Sequence, residues 1–249
     1  GKSYKLHLML LLAASNMNPD ALASFKAILE SVVYYTVIDK IATNVTERTF
    51  ASWCKDIRNI VTIEDLDRFV KGTLIPTVND WKLDNKSNFL RLGLNSMQQY
   101  RIKFILGKIT AYVDALRLGK TTVDDLTSYT QTAVEIEHIM PQTCADKELY
   151  GMNDEDFSVY INRLGNLTLL ENSINKSIHN DVYANKSKAY KQSKFYLTSS
   201  LSELVNQGHD TAINRTNSLL FAWSDWNKRS IEERQEMLYR LSEMIWEMS

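Results

Sequence analysis

From the N-terminus to about Leu118 the apolar residues recur every three or four positions, the spacing of helices that bury one face. Asn18-Pro19 supplies an N-cap and a first-turn proline, and Leu22, Phe25, Leu29, Val32 and Val37 follow as one stripe. Phe50, Trp53, Ile57 and Ile60 repeat the spacing. Thr62 followed by Asp65 is the start signal of a short helix carrying Leu66, Phe69 and Val70. A loop rich in Asp, Asn and Lys, containing Pro76, leads to a further long stripe from Tyr100 through Phe104, Ile105, Ile109, Val113 and Leu116. None of these stripes carries a reactive group.

After Gly119 the period changes. In Thr132–His138 Val134 and Ile136 share one side and Glu135 and Glu137 the other, which is strand alternation. Pro141 ends the strand, and the polar, acidic stretch to Phe157 reads as a loop. Gly165–Leu170 (GNLTLL) reads as a turn and a brief strand. Asn172–Ser193 is rich in Asn, Ser and Lys, with helical character clearest from Asp181. Met237, Leu238, Leu241, Ile245 and Trp246 mark a closing helix from about Ile231. The expected architecture is mainly α: a helical scaffold or linker over residues 1–125, a small β-hairpin core over 126–200 and packing helices over 201–249.

Composition supports long helices, since 249 residues contain only 8 Gly and 3 Pro. The net charge of −1 provides no whole-protein field that would draw the chain to nucleic acid, so any basic surface must be local. It is local: Glu135–Phe157 holds seven acidic residues against Lys147, whereas Asn172–Lys194 holds five lysines against Asp181. Cys54 and Cys144 stand far apart without a C-x-x-C pair, which argues against structural zinc and for a reducing cytosol. Leu6–Ala14 is apolar but is interrupted by His7, and it reads as a buried helix rather than a signal peptide. No continuous apolar run approaches the ~18 residues of a membrane span. The chain opens on Gly1 rather than Met, which points to a piece of a longer protein with a domain upstream.

The middle segment combines Glu-His at a strand end, an Asn in a turn, and a second Asn nine residues later. Taken singly these are ordinary structural residues. Together they are the types that phosphodiester hydrolysis at one divalent metal requires. A neutral imidazole can take the proton of an attacking water, and a carboxylate and an amide oxygen are hard ligands suited to Mg²⁺. The metal stabilises the leaving oxygen as its charge develops.

Glu137–Gln142 (EHIMPQ), Gly165–Leu170, Asn175 and the later Lys186, Tyr190 and Ser193 resemble the His-Me finger (HNH) nuclease domain at the C-terminus of GmrSD-type modification-dependent restriction proteins. Phage-defence nucleases of the phosphorothioate-sensing Ssp type carry a similar domain. The resemblance implies a ββα-metal core at residues 126–200, with His138 as general base and Glu137 as the preceding metal ligand. Asn166 becomes the brace of the loop that bears the base, and Asn175 the last ligand to a single Mg²⁺ or Mn²⁺. Asn172 stays open as an alternative to Asn175. Lys176, Lys186, Lys188, Lys191 and Lys194, interleaved with Tyr190, read as a phosphate-binding run. His179 reads as a solvated residue.

The implied activity is a bacterial, cytoplasmic, metal-dependent DNA endonuclease in anti-phage defence, targeted by an upstream sensing and nucleotide-hydrolysing domain and independent of membranes. One such site nicks, and a homodimer would supply the two sites a double-strand break requires. Two other classes stay open: a catalytically silent DNA-binding or autoinhibitory module, and an interaction platform for which the middle segment is a connector.

Overall fold

A computed structural model of the chain describes residues 5–123, 125–144, 147–178 and 180–248. The chain is mainly helical with one small antiparallel sheet, and it divides into two compact units. The first runs to Phe89 and includes the chain end from Trp246; the second runs from Leu90 to Ile245.

The first unit contains α1 (His7–Ala13), α2 (Pro19–Ile38), α3 (Thr43–Ile57), α4 (Ile63–Phe69), α5 (Ile75–Trp81) and α6 (Asn85–Phe89). Local chemistry starts its helices where the sequence signals them. The Asn18 side chain accepts from Ala21 N at 2.9 Å with Pro19 in the first turn, and Thr62 and Asp65 close a reciprocal capping box. Pro76 does not sit in a loop as the composition suggested. It lies in the first turn of α5, which continues directly from a π-helical turn at Val70–Leu74. Leu10, Phe25, Phe50, Ile57, Leu66 and Val78 form the core, none more than 1% exposed. By length and mean hydropathy α2 could cross a membrane, a reading that continuous runs do not give. Its apolar face instead packs on α1, α4, α5 and α6.

The second unit contains α7 (Gln99–Arg117), α8 (Thr127–Thr130), β1 (Val134–His138), α9 (Asp154–Tyr160), β2 (Leu167–Glu171), α10 (Asn172–Ile178), α11 (Tyr183–Tyr190), α12 (Tyr196–Ser199), α13 (Ala212–Asn217) and α14, which spans Lys228–Trp246. Strand β1 pairs antiparallel with β2, Val134 opposite Glu171 and His138 opposite Leu167, and β2 runs without a gap into α10. Helix α7 packs here on β2, α8, α12 and α13, within the compact unit that begins at Leu90. The acidic stretch expected as a loop contains α9. Asn153 caps it by accepting from Asp156 N, and Asp154, Glu155 and Asp156 occupy the first turn, where carboxylates meet the positive end of the helix dipole.

Candidate active site

The site begins with the turn between α9 and β2. Leu164–Asn166 form a single 3-10 turn, and Gly165 lies so close to α14 that a Cβ there would fall 2.2 Å from the Ile231 carbonyl oxygen. Gly165 N donates to the Gln235 side chain, whose amide nitrogen donates to Leu92 O at 3.2 Å. Arg234, wholly buried, donates through Nη1 to Gly165 O at 2.9 Å and Leu167 O at 2.7 Å. Its Nε and Nη2 are buried with no partner among the described residues, and burial pulls its pKa down to about 9. One guanidinium nitrogen thus holds the turn and the first residue of β2 together.

That turn presents Asn166, which is 0% exposed and hydrogen-bonded at both side-chain polar atoms. Its Oδ1 accepts from Met140 N at 2.8 Å and from the Trp226 indole at 2.9 Å, and its Nδ2 donates to Ile161 O at 2.9 Å. Its carbonyl accepts from Ile139 N at 2.9 Å. Asn166 therefore ties down both residues that follow His138.

The His138 ring, 9% exposed, lies between two amides. Gln142 Nε2 lies 2.9 Å from Nδ1 and Asn162 Oδ1 lies 3.4 Å from Nε2, a pairing that suits the tautomer protonated on Nε2. Burial lowers the His138 pKa, the Asn162 contact opposes this, and the Lys186 charge reinforces it, so the ring is neutral near pH 7. Asn162 is itself fixed through its backbone: its carbonyl accepts from Leu94 N at 2.9 Å, and only glycine fits at position 93, where a Cβ would lie 2.1 Å from that carbonyl. Asn180 Oδ1 accepts from Gln142 N at 2.7 Å and anchors the loop.

Glu137 faces away from His138, as strand alternation requires. Its Oε1 accepts from Lys186 Nζ at 2.7 Å and from the Tyr190 hydroxyl at 3.1 Å, and Lys186 also donates to His138 O at 2.7 Å. Tyr183, Lys186 and Tyr190 follow one another at three and four residues on α11, so they share a face, and all three are buried. Burial, followed by the Glu137 charge, raises the Tyr190 pKa well above its ordinary value.

Lys186 and Tyr190, which the sequence groups with the phosphate-binding run, are 2% and 1% exposed and point inward. Lys176, Lys188, Lys191 and Lys194 are exposed, Lys191 in an ion pair with Glu203 at 2.7 Å. Asn175 does not meet Glu137: its Nδ2 donates to Glu135 Oε2 at 2.6 Å. Asn172 Oδ1 is buried without a partner among the described residues. His179 lies outside the described residues.

The structure therefore gathers Glu137, His138, Asn166 and Asn175 on one ββα unit but gives each its own partners. Among the described residues no three His, Cys, Asp or Glu side chains cluster as a metal cage. Glu137 Oε2 and Asn175 Oδ1 have no hydrogen-bond partner there. Both are hard oxygens, the donor type that Mg²⁺ takes.

Residues 79–241 match the family described as GmrSD restriction endonucleases, C-terminal domain, and the match spans well over half of the chain. The chain belongs to this family. No curated protein matches it. The match makes the chain a nuclease domain of restriction systems, and the region it covers contains the ββα unit, the 3-10 turn and most of α14. Within this GmrSD-type domain Gln142, Asn162, Trp226, Arg234 and Gln235 have positions at the site that the sequence alone did not reveal. Arg234 and Lys186 carried a usable signal, a cation in phase with an apolar or aromatic face.

Proposed function

We propose that the domain is a metal-dependent DNA endonuclease of the His-Me finger type, which nicks one strand per site. The observation that carries this reading is a buried His138 at the end of β1, with the loop behind it pinned by Asn166 and β2 leading directly into the helix that bears Asn175. His138 takes the proton of a water that attacks phosphorus in line, leaving a 5′-phosphate and a 3′-hydroxyl. Asn162 orients the ring through Nε2, Gln142 yields Nδ1 to the attacking water, and Asn166 pins the two residues that follow His138. Glu137 would hold Mg²⁺ or Mn²⁺, with Asn175 joining it on release from Glu135, and the ion would stabilise negative charge on the leaving oxygen. Lys176, Lys188, Lys191 and Lys194 meet the phosphate backbone.

Four exposed lysines on a chain of net charge −1 support only weak, salt-sensitive DNA affinity. Targeting, including recognition of any modified base or phosphorothioate, therefore falls to another part of a larger cytoplasmic bacterial protein, and a second copy would convert nicks into double-strand breaks. The test is nicking of supercoiled plasmid with Mg²⁺ or Mn²⁺. Activity is expected to vanish in EDTA and in His138→Ala, and activity unchanged by both sinks the reading. The ion pair on Glu137 favours a second reading, a catalytically silent DNA-binding or autoinhibitory module, which retards DNA on a gel without cutting it under any metal.

A further inference from the structure

We propose that Lys186 and Tyr190 are positioning residues of the site: together they hold one oxygen of Glu137 and the backbone of His138, leaving the other Glu137 oxygen to face the metal. This inference rests on the metal-dependent reading above. A buried ion pair stabilises a fold weakly compared with apolar residues of the same volume, because both charges lose their water. Glu137 and Lys186 are 7% and 2% exposed, so stability alone is a poor reason to place them there.

The bonding pattern is more specific than charge neutralisation requires. Lys186 reaches both Glu137 Oε1 and His138 O at 2.7 Å and so joins two neighbouring residues with distinct roles. Tyr190 adds a second donor to the same oxygen at 3.1 Å, which confines the carboxylate to one orientation. Partners that orient a ligand from behind commonly change metal affinity or activity about 10–100-fold when removed. The same geometry removes Lys186 from the surface, so it acts on the site without touching DNA.

Mn²⁺ binding to the full chain by calorimetry, DNA affinity in EDTA across a salt series, and plasmid nicking test this together. Lys186→Met is expected to weaken Mn²⁺ binding and nicking about 10–100-fold, and Tyr190→Phe about tenfold, the low end of the range for such partners. DNA affinity and its salt slope should not change in either. Tyr190→Phe removes a single hydroxyl and carries the test if Lys186→Met fails to fold. The double variant Glu137→Gln/Lys186→Met removes the charged pair and is expected to fold without recovering activity.

Wild-type Mn²⁺ affinity in both single variants, wild-type nicking by the double variant, or a salt slope lowered by about one in Lys186→Met would each overturn the clamp. A wild-type chain that binds Mn²⁺ but never nicks sinks the nuclease reading and leaves the clamp standing. A wild-type chain that binds no Mn²⁺ overturns both.

Discussion

The two units use burial differently. In the first, the interior is mostly aliphatic and aromatic: Trp53 has ring contacts with Phe50, Phe69 and Trp81, and Phe25, Leu66 and Val78 have almost no exposed surface. In the second, Glu137, His138, Asn166, Lys186, Arg234 and Gln235 are all buried, and their hydrogen bonds converge on β1, on the loop after it and on the turn before β2. Apolar packing is non-directional and tolerates small shifts, whereas buried polar groups must find partners of fixed geometry. The second unit thus gives up some stabilisation per buried residue in exchange for directional control of a few atoms. If so, damage to the first unit should appear as lost stability, and damage to the second as lost activity or as both.

The largest expected effect is on chemistry alone. His138→Ala should lower plasmid nicking by about 10²–10⁴-fold while the chain keeps its helical circular dichroism. A matched pair then sharpens the contrast. Phe50→Ala should cost about 3–5 kcal/mol in denaturant unfolding and leave nicking intact at temperatures where the protein stays folded. Asn166→Ala leaves Met140 N, the Trp226 indole and Ile161 O without their partner, a loss of about 3 kcal/mol or more. It should also abolish nicking well below its own melting temperature. Equal stability loss with equal activity loss in both variants would erase the distinction between the units.

Gly165→Ala comes next, at about 1–3 kcal/mol from overpacking. The added methyl meets backbone rather than a movable side chain, so α14 or the turn must shift, and both bear on Asn166. The expected signature is a lowered melting midpoint together with reduced nicking. A variant that melts early yet nicks normally would show that the turn can move without disturbing the base.

The same comparison explains which parts of the molecule could be read in advance. Strand alternation located β1, which ends at His138 as expected, and the Gly-Asn turn located β2. Both signals are local. The closing helix was found from its stripe, although it begins at Lys228 rather than Ile231. Lys186 was misplaced because a lysine among lysines on a helix reads as solvated, and its partner lies 49 residues away in sequence. Asn162 gave no local signal, since its value comes from a ring in β1 and from a backbone approach at Gly93. The α9 start was legible and overlooked: Asn153 followed by three acidic residues is a helix N-terminus. What sequence pattern reveals is periodicity and caps, and what it hides is the long-range polar pairing on which the second unit depends.

The smallest effect belongs to the first unit and tests whether its capping box matters. Thr62→Ala removes the acceptor for Asp65 N and should cost about 1 kcal/mol with no change in nicking. Asp65 accepts from the backbone of Thr62 and Val61 and pairs with Arg68, contacts that bring its pKa down to about 2. A carboxylate whose folded pKa is depressed contributes stability that is fully present above its unfolded value near 3.9 and is lost as pH falls toward the folded one. The wild type should therefore lose stability between about pH 4 and pH 2 more steeply than Asp65→Asn, as read by urea midpoints at each pH. Parallel slopes for the two proteins would mean that the capping box carries no acid-sensitive stability.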